Sequence, residues 1–145
     1  MYGKTGMGVR VVDASALGAL IFGEPKAESV VERLADETMA APALLWFELA
    51  SICLKKIKAH PKLENQILKA FSLVDSLEIE IVDVVHKEVV QLARETGLST
   101  YDCNYLWLAR RLRGELVTLD NRLHRVASIL MPHARRAPSK HENIL

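Results

Sequence analysis

The run Val9-Arg10-Val11-Val12-Asp13-Ala14-Ser15-Ala16-Leu17 constrains this chain more than any other stretch. It opens on β-branched residues, which favour extended backbone. It closes on an acid and passes directly into small residues at helical spacing. A short apolar run with no strict polar alternation predicts a strand covered on both faces, as inside a parallel sheet. Asp13 then stands at the strand's carboxyl end, where open α/β sheets place their ligands.

The remaining segments alternate in the same way. Helical spacing covers 14–22, closed by Gly23 and Pro25, and then 26–36. Residues 38–41 suit a short strand. Pro42 suits the first turn of the helix that follows, read as 42–59. Within it Glu48 is the only charged residue from Met39 to Leu54, a pattern that predicts burial on nearly all sides. Further helices are expected at 62–74, at 83–96 with Gly97 as its C-cap, from Ser99 or Thr100 to 112, and at 121–130. Residues 77–82 and 116–119 are strand candidates, the first partly exposed and the second ending at Asp120. Strands alternating with helices imply a parallel sheet with right-handed crossovers. With 145 residues, no repeats and no linker, one domain over 9–136 is the economical reading, with 1–8 as a leader and 137–145 as a tail.

Composition removes several function classes. The net charge of +1 announces no global basic field for nucleic acid, although local patches suffice for binding. Cys53 and Cys103 lack partners at metal-ligand spacing and are read as small buried hydrophobes in a reducing cytoplasm. The first eight residues lack the apolar core of a secretory signal. The five histidines show no zinc spacing, and no phosphate-binding Gly-rich loop or G-x-S-x-G is present.

Four acids remain, each with a plain alternative. Asp13 and Asp120 both follow inner strands, and each also suits the N-cap of the next helix. Asp102 lies three residues after Ser99, at capping-box spacing, and an acid in a first helical turn is favoured by the helix dipole. Glu48 is harder to dismiss. An ionised carboxylate in an apolar helix must pair, bind a cation, take a proton or reach solvent, and the plain alternative is a buried salt bridge, for instance with an arginine. Gathered in one pocket, the four repel. Two charges about 4 Å apart cost roughly 4 kcal/mol at an effective dielectric near 20. A divalent cation removes that penalty, and all-oxygen ligation suits Mg²⁺ or Mn²⁺ over zinc. Asp36, Asp75, Glu78, Glu80 and Asp83 are read as solvated charges at turns or on exposed faces.

These four surroundings resemble the motifs of a known family. Val11-Val12-Asp13-Ala14-Ser15-Ala16-Leu17 is similar to the opening motif of PIN domains. Leu45-Trp46-Phe47-Glu48-Leu49-Ala50 resembles the segment of their second acid, and Thr100-Tyr101-Asp102-Cys103-Asn104-Tyr105-Leu106-Trp107-Leu108-Ala109 that of the third. Leu116-Val117-Thr118-Leu119-Asp120-Asn121-Arg122-Leu123 resembles the fourth. The motifs come in family order across roughly 9–136. Length and compactness are most similar to the VapC toxins of toxin–antitoxin pairs.

The resemblance implies a three-layer α/β/α sandwich around a central parallel sheet and an Mg²⁺- or Mn²⁺-dependent endoribonuclease. It makes Asp13, Glu48, Asp102 and Asp120 the acidic metal site, with Asp13 and Asp102 the direct ligands. Ser15 and Thr118 match polar positions beside them, or else bond locally to backbone. Where some members carry a further acid after the fourth, this chain has Asn121 and Arg122, which counts against a second tightly held ion. It also implies single-stranded or loop RNA such as tRNA or rRNA as substrate, a homodimer, and a cognate antitoxin covering the site. A basic rim is expected from Lys55, Lys56 and Lys58, from Arg110, Arg111 and Arg113, and from Arg122, Arg125, Arg135 and Arg136. Trp46 and Trp107 either stack on bases or, the favoured reading, pack in the core.

Overall fold

The computed structural model describes residues 8–132. Four strands, β1 (Val9–Val12), β2 (Thr38–Ala41), β3 (Ile79–Ile81) and β4 (Glu115–Val117), form one parallel sheet in the order β3-β2-β1-β4. Seven helices flank it: α1 (Ala14–Ile21), α2 (Ala27–Leu34), α3 (Leu44–Ala59), α4 (Glu64–Phe71), α5 (His86–Thr96), α6 (Thr100–Leu112) and α7 (Asn121–Leu130). The expected α/β/α sandwich is present. β1 is an inner strand, with Val11 facing Ala40 of β2 and Leu116 of β4. Val11 and Val12 are fully buried, which explains a β-branched run without polar alternation. β3 lies at the sheet edge and is largely exposed, as its alternating sequence suggests.

Local signals hold where they rest on backbone chemistry. Gly97 ends α5 in the left-handed region, where a residue without Cβ is unstrained. Ser99 caps α6 by accepting the Asp102 N–H. Between α6 and β4 the left-handed position is taken by Arg113. Gly114 serves a different need, because a Cβ there would lie 2.5 Å from the Val9 carbonyl oxygen. Its bare backbone lets β4 enter the sheet against β1.

Several expectations are corrected. Pro42 precedes α3 instead of sitting in its first turn, and its carbonyl accepts the Leu45 N–H. α3 is not buried on nearly all sides. Leu45, Leu49 and Cys53, four residues apart, form one buried stripe, while Phe47 is 71% and Leu54 51% exposed. Apolar composition counts what a helix could bury, not the surface available to cover it. The expected helix over 62–74 breaks into a 3₁₀ turn (Pro61–Leu63), α4, and a second 3₁₀ turn (Ser72–Ser76). Ser72 and Ser76 each donate a hydroxyl to the carbonyl three residues back, which competes with regular helical bonding. Asp83, Val84 and Val85 lie outside α5, and β4 stops at Val117, three residues before Asp120. Among the described residues no helix is long and apolar enough to cross a membrane.

Candidate active site

The site forms where β1 and β4 deliver the chain to the carboxyl edge of the sheet. The Asp13 N–H still bonds the Val117 carbonyl at 3.2 Å, so the two strand ends leave the sheet together. Asp13 is the N-cap of α1 and accepts the Ala16 N–H on Oδ1 at 3.0 Å. Capping does not exhaust its carboxylate. Ser15 Oγ donates to Oδ1 at 2.7 Å and Thr118 Oγ1 donates to Oδ2. Those hydroxyls in turn accept the backbone N–H groups of Leu119 at 2.9 Å and Asp120 at 3.0 Å. Each hydroxyl proton is thereby spent on Asp13. Thr118 thus makes the local backbone bond, Ser15 instead a long-range one to Leu119, and both hold the Asp13 carboxylate.

Arg33, on α2, supports this turn from behind and was not singled out by its sequence context. Its guanidinium donates to the Thr118 carbonyl at 2.7 Å and the Leu116 carbonyl at 3.3 Å. Arg10 Nε in turn donates to the Arg33 carbonyl at 2.9 Å. Nothing in the surroundings of Arg33 distinguishes it from a solvated helix cation, so only the assembled fold reveals the clamp.

The other acids arrive from three directions. α3 presents Glu48, half-buried, and the first turn of α6 presents Asp102. Asp120 caps α7 by accepting the Leu123 N–H at 2.8 Å and is exposed. Among the described residues Glu48 forms no ion pair with an arginine. Its hydrogen-bond donor is the neutral Tyr105 hydroxyl, 2.5 Å from Oε1. All four acids line one open cleft of about 480 Å³, together with Ser15, Phe47, Lys55, Tyr101 and Tyr105.

At this proximity the carboxylates feel one another's charge. Burial raises the Asp13 carboxyl above the usual range, opposed by the bonds from Thr118, Ser15 and Ala16, and the Asp102 charge raises it further. Burial likewise raises Glu48, against the Tyr105 bond, with the charges of Asp13 and Asp102 adding to the rise. Asp102 is raised by burial and by the Asp120 charge, against Ser99 and the Arg122 guanidinium. Among the described residues no three His, Cys, Asp or Glu side chains lie close enough to enclose a metal ion. The donor set nonetheless fits a hard dication of the Mg²⁺ type. It is all oxygen and mutually repelling, and such ions take one or two carboxylates and keep their remaining waters.

Among the described residues the expected basic rim is only partly present. Lys55 lines the cleft. Arg122 acts on Asp102 and donates to the Gly97 carbonyl at 2.9 Å. Lys56 pairs with Glu24 and lies over the Phe22 ring, and Arg110 and Arg111 line a separate depression beside Trp107. Lys58, Arg113 and Arg125 do not line the cleft, and Arg135 and Arg136 lie outside the described residues. Trp107 is core, its indole N–H bonded to Glu88 at 2.9 Å, and Trp46 packs against the core. The aromatic rings at the cleft are instead Phe47, Tyr101 and Tyr105. Cys53 and Cys103 are free and buried, as expected.

A parallel α/β sandwich with four carboxylates converging on the carboxyl edge of its sheet defines a class of acidic-cleft domains. The chain belongs to the PIN domain family, whose sequence profile matches residues 10–129. It is 27% identical over 118 residues to Ribonuclease VapC3 of Pyrobaculum aerophilum, covering 78% of this chain and 90% of that one. It is also similar to the crystal structure of PAE2754 from Pyrobaculum aerophilum, with a TM-score of 0.66 and 25% identity over 83% of this chain and 85% of that one.

Proposed function

We propose that this protein is a divalent-metal-dependent endoribonuclease, the toxin of a VapBC-type toxin–antitoxin pair. The single observation that carries the reading is the convergence of Asp13, Glu48, Asp102 and Asp120 on one cleft of a PIN domain. The relative named as a ribonuclease supports it. The nuclease domain is taken as residues 9–136, acting in the cytoplasm on single-stranded or loop regions of tRNA or rRNA. The working form is a homodimer restrained by a cognate antitoxin.

Asp13 and Asp102 would hold an Mg²⁺ or Mn²⁺ ion. When bound, the ion supplies positive charge to the carboxylates and to a phosphate oxygen and favours ionisation of water. Ser15 and Thr118 keep the Asp13 carboxylate in one orientation. Glu48, with Asp120 nearer the mouth of the cleft, orients the attacking water and takes its proton. The water oxygen bonds to phosphorus in line with the departing 3′ oxygen, the P–O3′ bond breaks, and the 3′ oxygen gains a proton from solvent. The products are a 5′-phosphate and a 3′-hydroxyl. Water as nucleophile leaves the 2′-hydroxyl without a chemical part, so RNA is selected by binding and shape. Lys55 at the rim meets the backbone phosphates that an acidic pocket would otherwise repel.

The test is cleavage of a tRNA and rRNA pool by the purified chain with Mg²⁺, Mn²⁺ or EDTA, beside Asp13→Asn and Asp102→Asn. Discrete fragments that need the metal and vanish in both variants are the expected result. Fragments that persist in EDTA would overturn the metal mechanism. No cleavage by metal-loaded, antitoxin-free protein would replace it with a non-cutting RNA- or protein-binding module on the same fold.

A further inference from the structure

Tyr105 stands apart from the rest of the core. Its side chain is 1% exposed, among the largest fully buried side chains of the protein. It follows Asp102 by three residues on α6, so both lie on one helix face. A buried phenol needs a hydrogen-bond partner, and phenylalanine would fill the same apolar space without that requirement. The partner is Oε1 of Glu48, 57 residues earlier on α3, at 2.5 Å. Buried among apolar side chains and facing a carboxylate, the phenol stays protonated and can only donate. The bond engages one oxygen of Glu48, leaving the other for what enters the cleft. It also removes the rotamer freedom that a glutamate would otherwise keep.

We infer that Tyr105 is a positioning residue, whose buried hydroxyl pins Oε1 of Glu48 and so aims that carboxylate into the acid cleft. The inference rests on the nuclease reading for its catalytic consequence, and on the Tyr105–Glu48 hydrogen bond from α6 to α3 for its geometry. It assigns chemistry to a residue otherwise explained as core. It also gives Glu48 an orienting contact from a neutral donor. Tyr105 is almost wholly covered at the wall of the cleft and would act through Glu48, so its removal should slow turnover while leaving RNA binding nearly unchanged.

The experiment compares wild type, Tyr105→Phe, Glu48→Gln and the double variant in steady-state RNA cleavage with Mn²⁺. Proton NMR of the Tyr105 hydroxyl is recorded in parallel. Tyr105→Phe should lower kcat about 10-fold or more with KM within about twofold, the signature of an interaction that matters in the transition state. The double variant should cleave no more slowly than Glu48→Gln alone, because the hydroxyl acts only through that carboxylate. A kcat for Tyr105→Phe within twofold of wild type, or additive losses, would overturn the inference. Should Tyr105→Phe fail to fold, 3-fluorotyrosine at position 105 fills nearly the same space with a more acidic phenol. A changed kcat at constant KM then supports the inference and an unchanged kcat overturns it. The NMR arm does not depend on activity. A slowly exchanging hydroxyl proton that shifts in Glu48→Gln supports the contact even if wild type proves inactive, in which case the nuclease reading alone falls. Its absence overturns the inference.

Discussion

Asp13 shows how one residue serves two purposes. Its backbone and one carboxylate oxygen start α1, while both oxygens are held by Ser15 and Thr118 at the cleft floor. The stability consequences follow from the direction of the carboxyl shifts. Asp13, Glu48 and Asp102 are all raised. Between the ordinary carboxyl value near pH 4 and the raised folded values, the folded chain binds more protons than the unfolded one, so stability falls as pH rises through that window. At neutral pH the ionised cluster is a net cost. Asp102→Asn should therefore raise Tm in EDTA, by about 2–4 °C for each kcal/mol relieved. Mg²⁺ should lift the wild type more than the variant. A lower Tm for Asp102→Asn and no response of wild type to Mg²⁺ would sink this account. In cleavage the same variant should lose roughly 10²–10³-fold in kcat, the scale of removing one group that stabilises transition-state charge.

At the scale of elements, the site depends on β1 and β4 lying side by side. That pairing requires Gly114, whose position against the Val9 carbonyl leaves no room for a methyl group. Gly114→Ala should push β4 away from β1 and cost about 1–3 kcal/mol, the usual range for overpacking, read by urea denaturation. An unchanged midpoint would show that the α6–β4 turn can shift freely. Arg33 ties α2 to the same turn through the Thr118 and Leu116 carbonyls. Arg33→Ala should cost about 1.5–3 kcal/mol, as for hydrogen bonds to a charged group. It should also lower cleavage through Thr118, although Arg33 itself stands behind the cleft floor. The element boundaries read from the sequence survive best where a cap residue marks them, at Asp13, Gly97, Ser99 and Asp120. They fail at 62–74, where helical periodicity continues but the backbone tightens into 3₁₀ turns on either side of α4.

For the whole molecule, a net charge of +1 leaves the proposed RNA binding to a few local cations. Lys55 is placed to contribute one phosphate contact. Lys55→Ala should weaken RNA binding and reduce the salt slope by about 1, with kcat little changed. A salt slope equal to wild type would remove Lys55 from the path of the RNA. The exposed apolar side chains have a separate consequence. Beside the acid cleft lies a groove of about 460 Å³ lined by Pro42, Phe47, Val84, Val90 and Tyr101. Under the proposed homodimer, this groove is the face on which a second chain would pack. In the proposed homodimer, sedimentation velocity should detect two chains, and Val90→Glu should return one. A single-chain particle for wild type would count against the homodimer.

The sequence by itself determined the strand–helix alternation, the inner position of the Val9–Val12 strand, the caps, and the four acids as the residues to watch. Those signals are local: β-branching, burial patterning and side-chain-to-backbone bonds within a few residues. Tertiary structure alone decided what each acid meets. Tyr105 reaches Glu48 across 57 residues, Arg33 reaches Thr118 across 85, and Thr118 reaches Asp13 across 105. It also decided that α3 buries one stripe and that, among the described candidate cations, few line the cleft. The physical reason is the same in each case. A hydrogen bond or a covered face needs two partners, and a sequence window contains only one of them until the sheet brings the other alongside.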